Sequence, residues 1–104
     1  MHPVITERRE TIAALCRQYG VTRLDVFGSA LGSDFDLVSS DIDLVVEFAP
    51  EPQGSSARRY FDFKDSLEKL FERPVDLVEL GAVRSERLRR VIERAKQPVY
   101  ETSA

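Results

Sequence analysis

The chain has 104 residues, enough for one domain with a single modest core, and residues 1–104 are expected to fold as that one domain. Hydrophobic residues make up 42% and charged residues 32%, which suits a soluble globular protein, and no apolar stretch approaches the ~20 residues of a membrane span. A formal net charge of −3 argues against non-specific nucleic-acid binding, MHPVITERRE lacks a signal-peptide core, and the single Cys16 excludes an intrachain disulfide or a cysteine metal cluster; the expected setting is the cytoplasm.

Residues 4–19 have a helical face of Ile5, Ile12, Leu15, Cys16 and Tyr19, with Gly20 placed to stop the helix. Cys16 reads as a small apolar residue on that face. Val21 to Phe27 reads as a first strand, with Leu24, Val26 and Phe27 toward the core. It delivers the chain to Gly28-Ser29, where glycine allows close approach to a phosphate and a short helical turn can aim N–H groups at an anion. The competing reading is an ordinary strand-to-helix turn.

The centre of the sequence is Ser33 to Val46. Ser33-Asp34-Phe35-Asp36-Leu37-Val38-Ser39 is nearly repeated as Ser40-Asp41-Ile42-Asp43-Leu44-Val45-Val46. Two Asp-x-Asp pairs therefore compete for one role. Asp34 and Asp36 follow Ser29 too closely for the chain to turn and feed a neighbouring strand, and the second pair has the longer apolar run behind it. Asp41 and Asp43 are the choice. In a strand they share one face while Ile42 and Leu44 take the other. Two like charges ~4 Å apart repel by ~1 kcal/mol in water and ~4 kcal/mol at an effective dielectric of 20. Such a pair at the mouth of a core strand needs a cation, a proton or a basic partner, and a divalent metal is the simplest.

Ala49 to Ser56 is a breaker segment. A helix over residues 56–72 follows, with Tyr60, Phe63, Leu67, Leu70 and Phe71 on its apolar face. Arg58, Arg59 and Tyr60 at its start either reach a triphosphate or base, or form a solvated helix end. Val75 to Leu80 reads as a strand with Val75, Leu77 and Leu80 inward and Asp76 opposite. Asp76 taken alone is an ordinary exposed aspartate; Glu79 is out of phase with it. A last helix over residues 84–96 puts Leu88, Val91, Ile92 and Ala95 on one face, with Ser85 as N-cap and Arg87, Arg89, Arg90 and Arg94 on the polar side. That basic face is either solvated or a docking surface for an acidic partner. Pro98 to Glu101 can add a short edge strand.

The arrangement Phe27-Gly28-Ser29, eleven residues, then Asp41-Ile42-Asp43-Leu44 resembles the signature of the polymerase-beta-type nucleotidyltransferase superfamily. The element order, and the end RPVDLVELGAVRSERLRRVIERAKQPVYE, resemble its smallest branch, the minimal nucleotidyltransferase domain. The resemblance implies an α/β (α+β) fold, a small mixed sheet flanked by helices. It implies that Asp41, Asp43 and Asp76 are the catalytic and metal-binding carboxylates, that they hold two Mg²⁺ ions, and that Gly28, Ser29 and Ser40 bind the nucleotide. Members of the branch act as antitoxins to HEPN-domain toxins and resemble enzymes that transfer AMP from ATP to a toxin tyrosine. Many members carry an arginine in the Gly-Ser turn; here Leu31 replaces that cation. An antitoxin that works by contact alone, and a regulatory nucleotide-binding module, stand as rival readings.

Overall fold

The computed structural model describes residues 3–27, 41–50 and 56–102. In chain order these form α1 (Pro3–Thr6), α2 (Arg9–Gln18), β1 (Val21–Phe27), β2 (Ile42–Phe48), α3 (Ser56–Phe71), β3 (Val75–Glu79), a 3-10 turn (Leu80–Ala82), α4 (Glu86–Ala95) and β4 (Gln97–Glu101). The strands make one mixed sheet in the order β3-β2-β1-β4. β1 runs antiparallel to both β2 and β4, and β2 is parallel to β3, with α3 as the crossover. This is the expected α/β architecture. Among the described residues no helix is long and apolar enough to cross a membrane.

Alternation along the strands divides the protein into two layers. Leu24 and Val26 of β1, Ile42, Leu44 and Val46 of β2, and Val75 and Leu77 of β3 are buried on one face against Ile5, Ile12 and Cys16 and against Phe63, Leu67 and Phe71 of α3. Each such side chain contributes roughly 1.5–3 kcal/mol by leaving water. Burial pushes the Cys16 thiol up to about 12, so it stays neutral and serves as packing. On the opposite face Val45, Leu80 and Ile92 form a smaller cluster, with Phe27 packed against it.

The first helix is broken where the apolar pattern runs on without interruption. The Arg8 N–H meets the carbonyl of Ile5 at 3.1 Å, and Arg8 has φ −112° and ψ 12° as the cap of α2. Its guanidinium donates to the Val4 carbonyl at 3.2 Å, closing the first turn on itself. Gly20 ends the α2 segment with φ +69°, a conformation that glycine adopts freely. Leu80 is inward as expected, but in the other layer, because the 3-10 turn swings it across the sheet.

The last helix departs further from expectation. Of its apolar residues only Ile92 is buried; Leu88 and Val91 are 50% and 58% exposed. Ser85 caps it as predicted, its hydroxyl accepting from the Leu88 N–H at 3.2 Å. Ser85→Ala should cost about 1 kcal/mol of stability, and urea denaturation would show it. A change below ~0.3 kcal/mol would mean that α4 is held by packing and not by its cap.

Candidate active site

The site is built by the registers of three strands. Asp43 on β2 lies opposite Phe27 on β1 and opposite Asp76 on β3. Phe27, Asp43 and Asp76 thus form a row across the sheet, with neighbouring strands about 4.8 Å apart. Because Ile42, Leu44, Val75 and Leu77 are buried in the large core, both aspartates leave the sheet on the opposite face, the one that carries Val45, Ile92 and Phe27. Asp41 directly precedes β2. Asp41 and Asp76 are exposed and Asp43 is half-buried. The row stands at the end of β1 where the chain leaves Phe27 for Gly28.

Three of the predicted site residues are therefore brought to one edge of one face. Gly28, Ser29 and Ser40, the replaced turn position Leu31, and the competing pair Asp34 and Asp36 lie outside the described residues.

Burial raises the carboxyl of Asp43 above its ordinary range, and the charges of Asp76 and then Asp41 raise it further. The folded chain thus holds this proton more tightly than the unfolded chain, whose ordinary value is 3.8. Below that value the proton is on in both states and Asp43 costs the fold nothing. As pH rises the unfolded chain releases it first, so stability falls until pH passes the folded value. In metal-free buffer Asp43→Asn should melt at a higher temperature than wild type near neutral pH, and the two should converge as pH falls toward about 4. Thermal denaturation across pH tests this. A gap that widens toward acid would show that the three carboxylates do not oppose one another.

The donor set fits a hard divalent cation: carboxylate oxygens from two adjacent strands, with the charges of Asp76 and Asp41 adding to burial in raising the Asp43 carboxyl above its ordinary range. Among the described residues no three carboxylate, histidine or cysteine side chains are gathered closely enough to hold a metal between them. The row is an open acidic strip, and the exposed Asp41 and Asp76 can turn toward an ion at Asp43.

Two neighbours stand out, of which Asp25 went unanticipated in the sequence. Asp25 is 1% exposed on β1. Its carboxylate accepts from Arg23 at 2.9 and 3.2 Å and faces the Lys96 ammonium at 3.5 Å, so it is a fully compensated buried charge that ties the end of α4 to β1. Its only signal was a charge inside an apolar strand. Tyr60 donates its hydroxyl to the Leu77 carbonyl, next to Asp76. Burial, followed by the charges of Asp76 and Glu79, raises its pKa. Arg58 and Arg59, in contrast, do not approach the acidic row. They line a cavity of about 450 Å³ with Arg17, Tyr19 and Gly20. Arg59 donates to the Ala49 carbonyl at 2.9 Å and lies 4.6 Å over the Phe48 ring. Val21 pairs with Phe48, so this is the end of the β1–β2 ribbon remote from Asp43.

The chain is 33% identical over 79 residues to a Methanocaldococcus jannaschii protein named as a candidate protein adenylyltransferase, covering 76% of each chain. A solved structure described as a candidate minimal nucleotidyltransferase superposes with a TM-score of 0.74 at 31% identity, covering 94% of this chain and 96% of that one. The fold is shared with the antitoxin of a toxin–antitoxin complex with AMP-PNP (TM-score 0.68, 22% identity, 91% and 74% covered). It is shared too with a Shewanella oneidensis complex of a tri-AMPylated HEPN toxin and an MNT antitoxin (TM-score 0.64, 21% identity, 93% and 72% covered). With residues 8–99 matching the nucleotidyltransferase domain on top of this sheet and its acidic row, the chain belongs to the nucleotidyltransferase domain family.

Proposed function

We propose that this nucleotidyltransferase moves AMP from ATP onto a tyrosine hydroxyl of a HEPN-domain toxin, releases pyrophosphate, and thereby acts as the toxin's antitoxin in the cytoplasm. The observation that carries the reading is the cross-strand register of Asp43 with Asp76, with Asp41 one residue before β2. The relative named as a candidate protein adenylyltransferase and the tri-AMPylated toxin complex support the group transferred and the class of partner.

Asp41, Asp43 and Asp76 would hold the Mg²⁺ ions, which when bound neutralise phosphate charge and lower the pKa of the attacking hydroxyl. Asp43, half-buried between β1 and β3, is the fixed member, held by strand pairing on both sides. Asp41 and Asp76 adjust around it. Gly28, Ser29 and Ser40 bind the triphosphate by backbone N–H groups and hydroxyls. In the reaction the tyrosine oxygen bonds to the α-phosphorus, the bond from that phosphorus to the bridging oxygen breaks, and the hydroxyl proton leaves to solvent. Positioning and charge stabilisation supply most of the rate.

The three carboxylates divide the work. Asp41 and Asp43 serve both nucleotide binding and chemistry, while Asp76 serves mainly the acceptor hydroxyl. Asp76→Asn should keep much of its Mg²⁺·ATP affinity and lose transfer, a defect in kcat more than in binding. The loss should shrink at higher pH, where a tyrosine of ordinary pKa ~10 ionises more readily without help. Calorimetry with Mg²⁺·ATP and single-turnover transfer to the toxin between about pH 7 and 9.5 test both parts. Wild-type transfer by the variant would move the third carboxylate elsewhere, with Glu79 the next candidate. Loss of ATP binding as complete as that of Asp43→Asn would keep the site and refute the division.

A contact-only antitoxin is the second reading, favoured by Leu31 at the turn position where many members of the branch carry an arginine. It requires neutralisation of the toxin without consumption of ATP.

A further inference from the structure

α4 exposes more apolar surface than its packing needs, and its charges are sorted. At 100° per residue, measured around the axis from the buried Ile92, Leu88, Val91 and Ala95 lie on one flank, with Arg87 and Arg94 above them. Glu86, Arg89, Arg90 and Glu93 lie on the other. There Glu86 meets Arg90 at 3.7 Å, and Arg89 donates to the Leu80 carbonyl at 3.1 Å. Among the described residues Arg87 and Arg94 have no carboxylate within ion-pair distance. A chain of net charge −3 has thus placed two exposed apolar side chains and two unmatched cations on a single flank.

The topology fixes which way that flank looks. β2 and β3 are parallel and joined through α3 on the large-core face, and such crossovers are right-handed. α4 starts after Leu80, past the C-terminal end of β3. It ends at Lys96, beside Phe27 at the other end of the sheet, because Gln97 pairs with Val26. It therefore crosses the Val45 face diagonally. With Ile92 down on that face, the right-handed helix turns Leu88 and Val91 toward β3 and the row of Phe27, Asp43 and Asp76.

We propose that this flank seats the protein that delivers the acceptor tyrosine, and that the surface it takes is an amphipathic helix bearing carboxylates beside small apolar residues. The assignment rests on the function proposed above. A macromolecular acceptor that brings a hydroxyl to the acidic row must lie against whatever borders the row. Leu88 and Val91 give it a dry anchor, and Arg87 and Arg94 offer complementary charge that keeps an acidic partner clear of direct conflict with Asp41 and Asp76.

The test uses the chain and a candidate HEPN-domain partner from the same source. Binding is measured at low and high salt, with Mg²⁺·ATP affinity followed in parallel. Leu88→Glu with Val91→Glu should weaken partner binding at least about tenfold and leave Mg²⁺·ATP affinity unchanged. Arg87→Glu with Arg94→Glu should weaken it at low salt, with a difference that shrinks at high salt. Unchanged partner affinity in the Leu88/Val91 variant overturns the surface while leaving the transfer reading intact. If that variant also loses Mg²⁺·ATP, Leu88→Ala with Val91→Ala decides, and unchanged partner affinity there overturns the proposal. Wild-type chain that binds Mg²⁺·ATP but not the HEPN protein overturns the partner reading and this surface together. Self-association of the wild type that the variant abolishes overturns the choice of occupant in favour of a second copy.

Discussion

Asp43→Asn should abolish nucleotidyl transfer while the chain stays folded. Asp43 is the only one of the three site aspartates paired in the sheet on both sides, opposite Phe27 and Asp76. Its amide replacement keeps the size and the strand register but removes the charge of the proposed metal ligand. Losing that ligand should remove at least ~2.7 kcal/mol of transition-state stabilisation, about a hundredfold in rate. The fold should tolerate the change, since it relieves like charges at a half-buried position. Single-turnover transfer with circular dichroism on the same sample separates the two effects. Near-normal transfer would sink the metal assignment. Asp34→Asn with Asp36→Asn is the companion control for the near-repeat and should retain most activity. A dead double variant beside an active Asp41→Asn would show that the wrong pair had been chosen.

Phe63→Ala should be the most destabilising single change in the crossover helix. Phe63 is fully buried between Tyr19 and Phe48, with ring centroids 5.6 and 5.9 Å away. It pins α3 to the sheet, and α3 connects the two acidic strands. Truncation of a buried phenylalanine costs roughly 3–5 kcal/mol through lost burial and an unfilled cavity, against a total stability on the order of 5–15 kcal/mol for a domain. Phe61, two residues earlier and 62% exposed, is the contrast. Its truncation should cost no more than its edge contact with Tyr60, about 0.5–1.5 kcal/mol. Urea denaturation of both variants is the check. Equal losses would mean that the two-layer packing is wrong about which side of α3 holds the core.

The parts of this fold that the sequence made legible are those in which one periodicity meets one environment. Ile42, Leu44 and Val46 alternate with Asp43, and that alternation placed both the core and the acid correctly. Val75, Asp76 and Leu77 did the same on β3. The crossover helix was legible because Phe63, Leu67 and Phe71 repeat at helical spacing. What failed was information that lives between elements. Nothing local says that Asp43 and Asp76 share a register, only that each has the right face. α4 reads as an amphipathic helix, yet the sheet face it crosses offers only the small cluster of Val45, Leu80 and Phe27, and only Ile92 is buried there. Asp25 looks like an exposed strand residue until Arg23 and Lys96 converge on it. Arg58 and Arg59 open the crossover helix, which starts after β2 has run to the end of the sheet remote from Asp43.

The most direct test of nucleotidyl transfer by the acidic row is the fate of two labels on ATP. The chain, Mg²⁺ and the HEPN-domain partner are incubated with ATP labelled at the α-phosphate, and separately at the γ-phosphate. The expected result is α-label covalently on a partner tyrosine, γ-label released as pyrophosphate, and neither event with Asp43→Asn. A γ-label on the partner would mean phosphoryl transfer, and no transfer of either label while the partner is neutralised would mean an antitoxin that acts by contact; either would contradict the assignment.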